Sequence, residues 1–118
     1  MRRFVFFAIV SFLALATGCA PSVSSSEAVA ISQQTVSLLQ TNETGEIPPA
    51  RWPPAVAALS PERVRRDSQG LYIFTSTFFV EERGVFVLDP KAHFDPPTQG
   101  DPSYARIAEN VYIFRSAG

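Results

Sequence analysis

Leu71-Tyr-Ile-Phe-Thr-Ser-Thr-Phe-Phe-Val80 and Val85-Phe-Val-Leu-Asp89, separated by Glu81-Glu-Arg-Gly84, decide the fold. Both runs are rich in aromatic and β-branched residues, which suit a pleated and half-buried surface. The charged segment between them ends in glycine and reads as a hairpin turn. Outward from there, Asp67-Ser-Gln-Gly70 makes an earlier turn, so Arg63 to Asp67 reads as a first strand and Val111-Tyr-Ile-Phe-Arg115 as the last. The expectation is an antiparallel meander of about four strands.

Side chains alternate along a strand, so Leu71, Ile73 and Thr75 are expected on one face and Tyr72 and Phe74 on the other. Val111 and Ile113 divide from Tyr112 and Phe114 in the same way, and the likeness of Gly70–Phe74 to Asn110–Phe114 reads as two strands meeting one packing demand. Both faces are apolar. For one of them the sequence supplies a helix: Ser24 and Glu27 have the form of a capping box, and Ala28, Ile31, Thr35 and Leu38 follow helical spacing. A helix from about Glu27 to Gln40 is therefore expected over Leu71, Ile73 and Ile113, ended by Gly45 and Pro48-Pro49. The aromatic face of Tyr72, Phe74, Phe86, Tyr112 and Phe114 needs its own cover, from the Trp52 segment, the long proline-rich loop or a partner. Arg51-Trp52-Pro53-Pro54 starts a short helical turn through Leu59, with Trp52 expected as a plug at the edge of the core. The fold class is α+β: a small antiparallel β-meander with one N-terminal helix packed on it, a single domain over 27–118.

The N-terminus carries a different message. Met1-Arg2-Arg3 leads into a mostly apolar run from Phe4 to Ala16, then Thr17-Gly18-Cys19-Ala20. The run is thirteen residues, whereas a membrane-spanning helix needs about twenty. A basic start, a short apolar core and small residues before cysteine resemble a bacterial lipoprotein signal peptide with its lipobox, Ala16-Thr17-Gly18-Cys19. The resemblance implies removal of residues 1–18, diacylglycerol on the Cys19 sulfur, usually a third acyl chain on the new N-terminus, and no other cofactor. Residues 19–26 then form the lipidated cysteine and a tether of Ala, Pro, Val and Ser. Two or more acyl chains give stable anchoring. Ala20 in place of aspartate implies the outer membrane, facing the periplasm, in a Gram-negative cell. Ala14-Leu15-Ala16 also fits the ordinary secretory peptidase, and cleavage there would leave Cys19 as an unmodified thiol. Cys19 is the chain's one cysteine, so no intramolecular disulfide forms.

Without residues 1–18 the chain has eight basic and eleven acidic residues, a charge of about −3. That argues against nucleic acid as a partner, because phosphate recognition calls for clustered Lys and Arg. The one basic cluster, Arg63, Arg65 and Arg66, reads as a solvated strand edge. Asp95 and Asp101 lack the alternating oxygen ligands and glycine of a calcium loop, so no metal site is expected. His93 is the single histidine, with no serine or cysteine nucleophile motif beside it. Glu81 and Glu82 are adjacent on a strand, point to opposite faces, and look like charges that keep a hairpin tip soluble.

Pro90 to Ser103 is long enough to suggest function, since loops beyond about twelve residues are usually functional or disordered. Its prolines limit the entropy lost on binding. The candidate binding surface is therefore His93, Phe94, Asp101 and Tyr104 with the adjacent sheet edge, against the alternative that Phe94 and Tyr104 tuck under the sheet. The runs Thr44–Pro48, Trp52-Pro53, Phe78–Glu82 and Asp101–Tyr104 resemble small bacterial proteins without assigned chemistry, which implies a family and no activity. The expected function is a non-catalytic binding or structural accessory of the bacterial envelope, held to its membrane by lipid and meeting an envelope protein or cell-wall partner. The alternative is a small envelope hydrolase acting through loop carboxylates and His93.

Overall fold

In a computed structural model of the chain, the described residues are 23–41, 43–78 and 80–117. The signal peptide, Cys19 and residues 20–22 of the expected tether lie outside them; of the rest of the tether, Ser25 and Ser26 are helical and Ser24 is their cap. The chain runs α1 (Ser25–Gln34), α2 (Val36–Gln40), β1 (Gly45–Glu46), a 3-10 turn (Pro49–Arg51), α3 (Pro54–Ala57), β2 (Arg63–Arg66), β3 (Gly70–Phe78), β4 (Glu81–Leu88), β5 (Ser103–Ala108) and β6 (Val111–Ser116). The class is α+β, as expected. The sheet has six antiparallel-paired strands in the order β1-β2-β3-β4-β6-β5, not about four.

The two unexpected strands are those with the weakest local signal. β1 is two residues beginning in glycine, and exists only by pairing Gly45 with Arg66 and Glu46 with Arg65. β5 contains two alanines, which favour strands little, yet it pairs with β6 from Ser103↔Arg115 to Ala108↔Val111. The long loop therefore does not join the last two strands. It carries the chain from β4 past the position of β6 to the sheet edge, and β6 then returns between them.

The helical segment is also divided. Ser24 caps α1 with both arms of the capping box: its hydroxyl accepts from the Glu27 amide, 3.1 Å, and its own amide donates to the Glu27 carboxylate, 2.8 Å. The first helical residue is thus Ser25, two before the expected start. At Thr35, fully buried, the side-chain hydroxyl donates to the Ile31 carbonyl at 2.7 Å while the Thr35 amide uses the same oxygen. Such back-bonding competes with the helical ladder, and α1 ends there. The apolar spacing survives the break: Ala28, Ile31, Leu38 and Leu39 are all buried against the sheet.

Register fixes the two faces. One carries the rows Arg66–Leu71–Val87–Val111 and Val64–Ile73–Val85–Ile113, and meets α1, α2 and the Trp52–Leu59 segment. Trp52 is a half-buried edge residue whose indole N–H donates to the Ile47 carbonyl, 2.9 Å. The other face carries Arg65–Tyr72–Phe86–Tyr112 and Arg63–Phe74–Gly84–Phe114. The alternation expected from Leu71 stops at Thr75, where the β3–β4 register shifts, and Thr75 is left half-buried with its hydroxyl on the Arg83 carbonyl.

Glu81 to Gly84, read as a turn from sequence, belong to β4; Phe78 pairs with Glu81, so the connection is shorter. Gly84 is needed in the strand for space. A Cβ there would run into the Ile73 carbonyl oxygen and press the Phe114 ring, and without one the Phe74 and Phe114 rings meet edge to face at 5.4 Å. Gly84→Ala is expected to lower the unfolding free energy by about 1–3 kcal/mol, the usual cost of overpacking. Urea unfolding checks this, and a variant as stable as the parent contradicts it.

Candidate functional site

The aromatic face is where the loop and the sheet meet. Phe86 lies at its centre, fully buried, with Tyr72, Phe94, Tyr104 and Tyr112 around it at ring-centroid distances of 4.6–6.2 Å. Most of these contacts are tilted or edge to face, the arrangement that ring quadrupoles favour. Phe94 reaches the layer from the loop, and Tyr104 enters it from β5. The long loop, one of the three sources the sequence left open, therefore covers the Phe86 part of this face through Phe94.

The four candidate residues divide two and two. Tyr104 is 3% exposed and Phe94 half-buried, so both anchor the loop, while His93 and Asp101 are exposed. Asp101 accepts a hydrogen bond from the Ala117 amide, 2.8 Å, which ties the loop's end to the chain's last residues. The Tyr104 amide, on the outer side of β5, donates to the Pro97 carbonyl at 2.8 Å and closes the start of that edge. The structure thus brings Phe94 and Tyr104 together inside and presents His93 and Asp101 on the outer surface of the same loop.

Tyr72 and Tyr104 hydroxyls meet at 2.7 Å within the layer. Burial raises the pKa of both phenols; the shared hydrogen bond raises Tyr72 further and partly offsets the rise at Tyr104. Neither is poised as a base near neutral pH. They are neutral hydrogen-bonding groups that satisfy each other.

The arginine cluster is not a solvated strand edge. β1 pairs outside β2, and alternation along β2 sends Arg63 and Arg65 to the aromatic face and Arg66 to the other. Arg63 stacks on Phe74 with its guanidinium carbon 4.3 Å from the ring centre, and Arg65 lies 5.7 Å from both Phe74 and Tyr72. The Arg65 Nε is buried without a hydrogen-bond partner. Arg66 points to the other face and is 6% exposed. Its guanidinium pairs with Asp89 at 3.0 Å and donates to the carbonyls of Leu38, Leu39, Thr41 and Asp67. Sequence reasoning missed this pair; its one signal is the strand alternation that separates Arg66 from Arg65.

A cleft of about 350 Å³ opens beside the pair, lined among others by Val36, Leu39, Asp89, Lys91 and Asn110. Asp89 Oδ2 is held by Arg66, and Oδ1 accepts from the Lys91 amide at 3.0 Å. Both oxygens are engaged in structure, so the carboxylate is a brace for the loop's start. At the hairpin tip, hydrogen bonds from Arg115 and Arg83 hold the Glu81 carboxyl below its ordinary pKa. Among the described residues, no group of three or more His, Cys, Asp and Glu side chains is placed to hold a metal. No protein-family model, curated protein or solved structure was found to match the chain.

The buried phenols set a pH dependence. Their folded pKa values lie above the unfolded value of about 10, so their contribution is fully present below pH 10 and is lost as pH rises toward the folded values. The unfolding free energy is expected to fall above about pH 10, and to fall less steeply in Tyr72→Phe. Equal alkaline slopes for the two proteins contradict the assignment.

Proposed function

We propose that this chain is a membrane-anchored lipoprotein of the bacterial envelope, acting without catalysis as a binding or structural accessory. The observation that carries the reading is Ala16-Thr17-Gly18-Cys19 behind a thirteen-residue apolar run, in a chain with no other cysteine. The folded part is compatible with it, since α1 is capped by Ser24, five residues after Cys19. Among the described residues no helix is long and apolar enough to cross a membrane. Lipid on Cys19 would supply the attachment, with the outer membrane facing the periplasm as its site in a Gram-negative cell.

The binding surface in this reading is the outer side of the loop from Lys91 to Tyr104 with the edge of β5, and an envelope protein or cell-wall partner is its occupant. Phe94 and Tyr104 hold the loop on the aromatic layer while His93 and Asp101 face outward. Phe94 on the aromatic layer and the Tyr104 amide on the Pro97 carbonyl tie the loop down, which limits the ordering entropy lost on binding.

Metabolic labelling with a palmitate analogue is expected to mark the protein, and Cys19→Ser to abolish the label and move the protein to the soluble periplasmic fraction. An intact mass showing an unmodified chain beginning at Thr17 contradicts the anchor. For the surface, His93→Ala with Asp101→Ala is expected to reduce recovery of a cross-linked envelope partner by at least tenfold, equivalent to about 1.4 kcal/mol, at near-parental melting temperature. Unchanged recovery removes these side chains from the role.

A further inference from the structure

The hairpin between β3 and β4 ends in the most exposed large apolar side chains among the described residues. Phe78 and Val80 are each 69% exposed, against 46% for Val29 and Val36 on the helices. The same end of the sheet receives the N-terminal segment. Val23 packs against the aliphatic core, and with Glu27 it shares a cleft of about 480 Å³ with Thr75, Ser76 and Arg83, the distal halves of β3 and β4. The chain therefore enters the domain close to the tip that carries Phe78 and Val80.

Cys19 precedes Val23 by four residues, a span of at most about 14 Å when fully extended. The opposite end of the sheet, at the Ser68-Gln69 turn, is separated from the tip by the nine residues of β3, about 30 Å. Val23 lies beside Thr75 and Ser76, two or three residues from Phe78 and at least six from the Ser68-Gln69 turn, so a lipid on Cys19 is attached nearer the tip than the far turn. Resting on the anchored reading above, we infer that Phe78 and Val80 form a second membrane contact: the hairpin tip enters the headgroup region of the bilayer that holds the lipid and sets the domain upright on it.

The chemistry of the tip fits a lipid surface. An aromatic ring and a branched apolar side chain at a projecting turn favour the boundary between headgroups and acyl chains. Behind them Glu81 is neutralised by Arg83, 2.6 Å, and Arg115, 2.8 Å, so an ion-pair collar borders the apolar tip. Glu82 follows Glu81 in β4 opposite Thr77, and Thr77 donates to Glu62 just before β2. The tip's surroundings are not basic, and its attraction to lipid is apolar, independent of salt and of anionic lipid.

The test uses the acylated chain in phosphatidylcholine vesicles. Val80→Cys supplies one thiol for an environment-sensitive fluorophore, because acylated Cys19 has none, and Ser68→Cys places the same probe at the far turn. Intact mass establishes the acyl modification, and the melting temperature establishes that each labelled protein is folded. Nitroxide lipid with its spin label near the headgroup is expected to quench the Val80 probe at least twofold more than the Ser68 probe, at low and high salt alike. Acylated, folded protein in which both probes are quenched equally overturns the tip contact while leaving the anchor standing. A mass without acylation overturns the anchor, and with it the basis for the tip contact.

Discussion

The ion pair of Arg66 and Asp89, both almost fully buried, is the constraint on which the arrangement of layers depends. A charge taken from water is costly unless it is paired and hydrogen-bonded. Arg66 meets that cost by collecting the carbonyls of Leu38, Leu39 and Thr41 at the end of α2 and the carboxylate at the end of β4. The first contacts fix where the helical layer stops over the sheet. The second fixes where β4 ends and the loop departs for the opposite face. Such a pair contributes little net stability compared with well-packed apolar groups, and its value lies in specifying one geometry.

The sheet needs that specification because it is apolar on both sides. Aliphatic residues face the helices and aromatic residues face the loop, so two different covers must be assigned to two different faces. α1 and α2 precede the sheet in the chain, and the loop comes from within it. Phe94 and Tyr104 then close the aromatic layer, and the Tyr72–Tyr104 hydrogen bond satisfies the two hydroxyls that this closure buries. The outward residues of the loop are held in place by the inward ones, which links packing to the proposed binding surface.

The sheet's centre was legible in the sequence because β3, β4 and β6 are long enough to show alternation and composition together. The assignment of Leu71 and Ile73 to the helix, and of Tyr72 and Phe74 to the other face, followed from period alone. β1 and β5 were illegible for a physical reason: their strand geometry comes from pairing with β2 and β6, not from local preference. The break at Thr35 was hidden because a threonine back-bond leaves the apolar spacing intact. In the candidate site, the sequence singled out the loop but not its division into anchors and outward residues. Arg66 was grouped with Arg63 and Arg65 because adjacency in sequence suggests one patch, whereas alternation sends it to the opposite face.

A double-mutant cycle in urea tests the central claim most directly. The chain is compared with Arg66→Met, Asp89→Leu and the double variant. Each single change leaves one buried charge without its partner and is expected to cost about 3–5 kcal/mol. The double variant is expected to be more stable than the sum of the two losses implies, with a coupling of about 2 kcal/mol or more. Additive losses, with coupling below about 0.5 kcal/mol, would contradict the account by showing that the helix end and the loop's start are positioned independently.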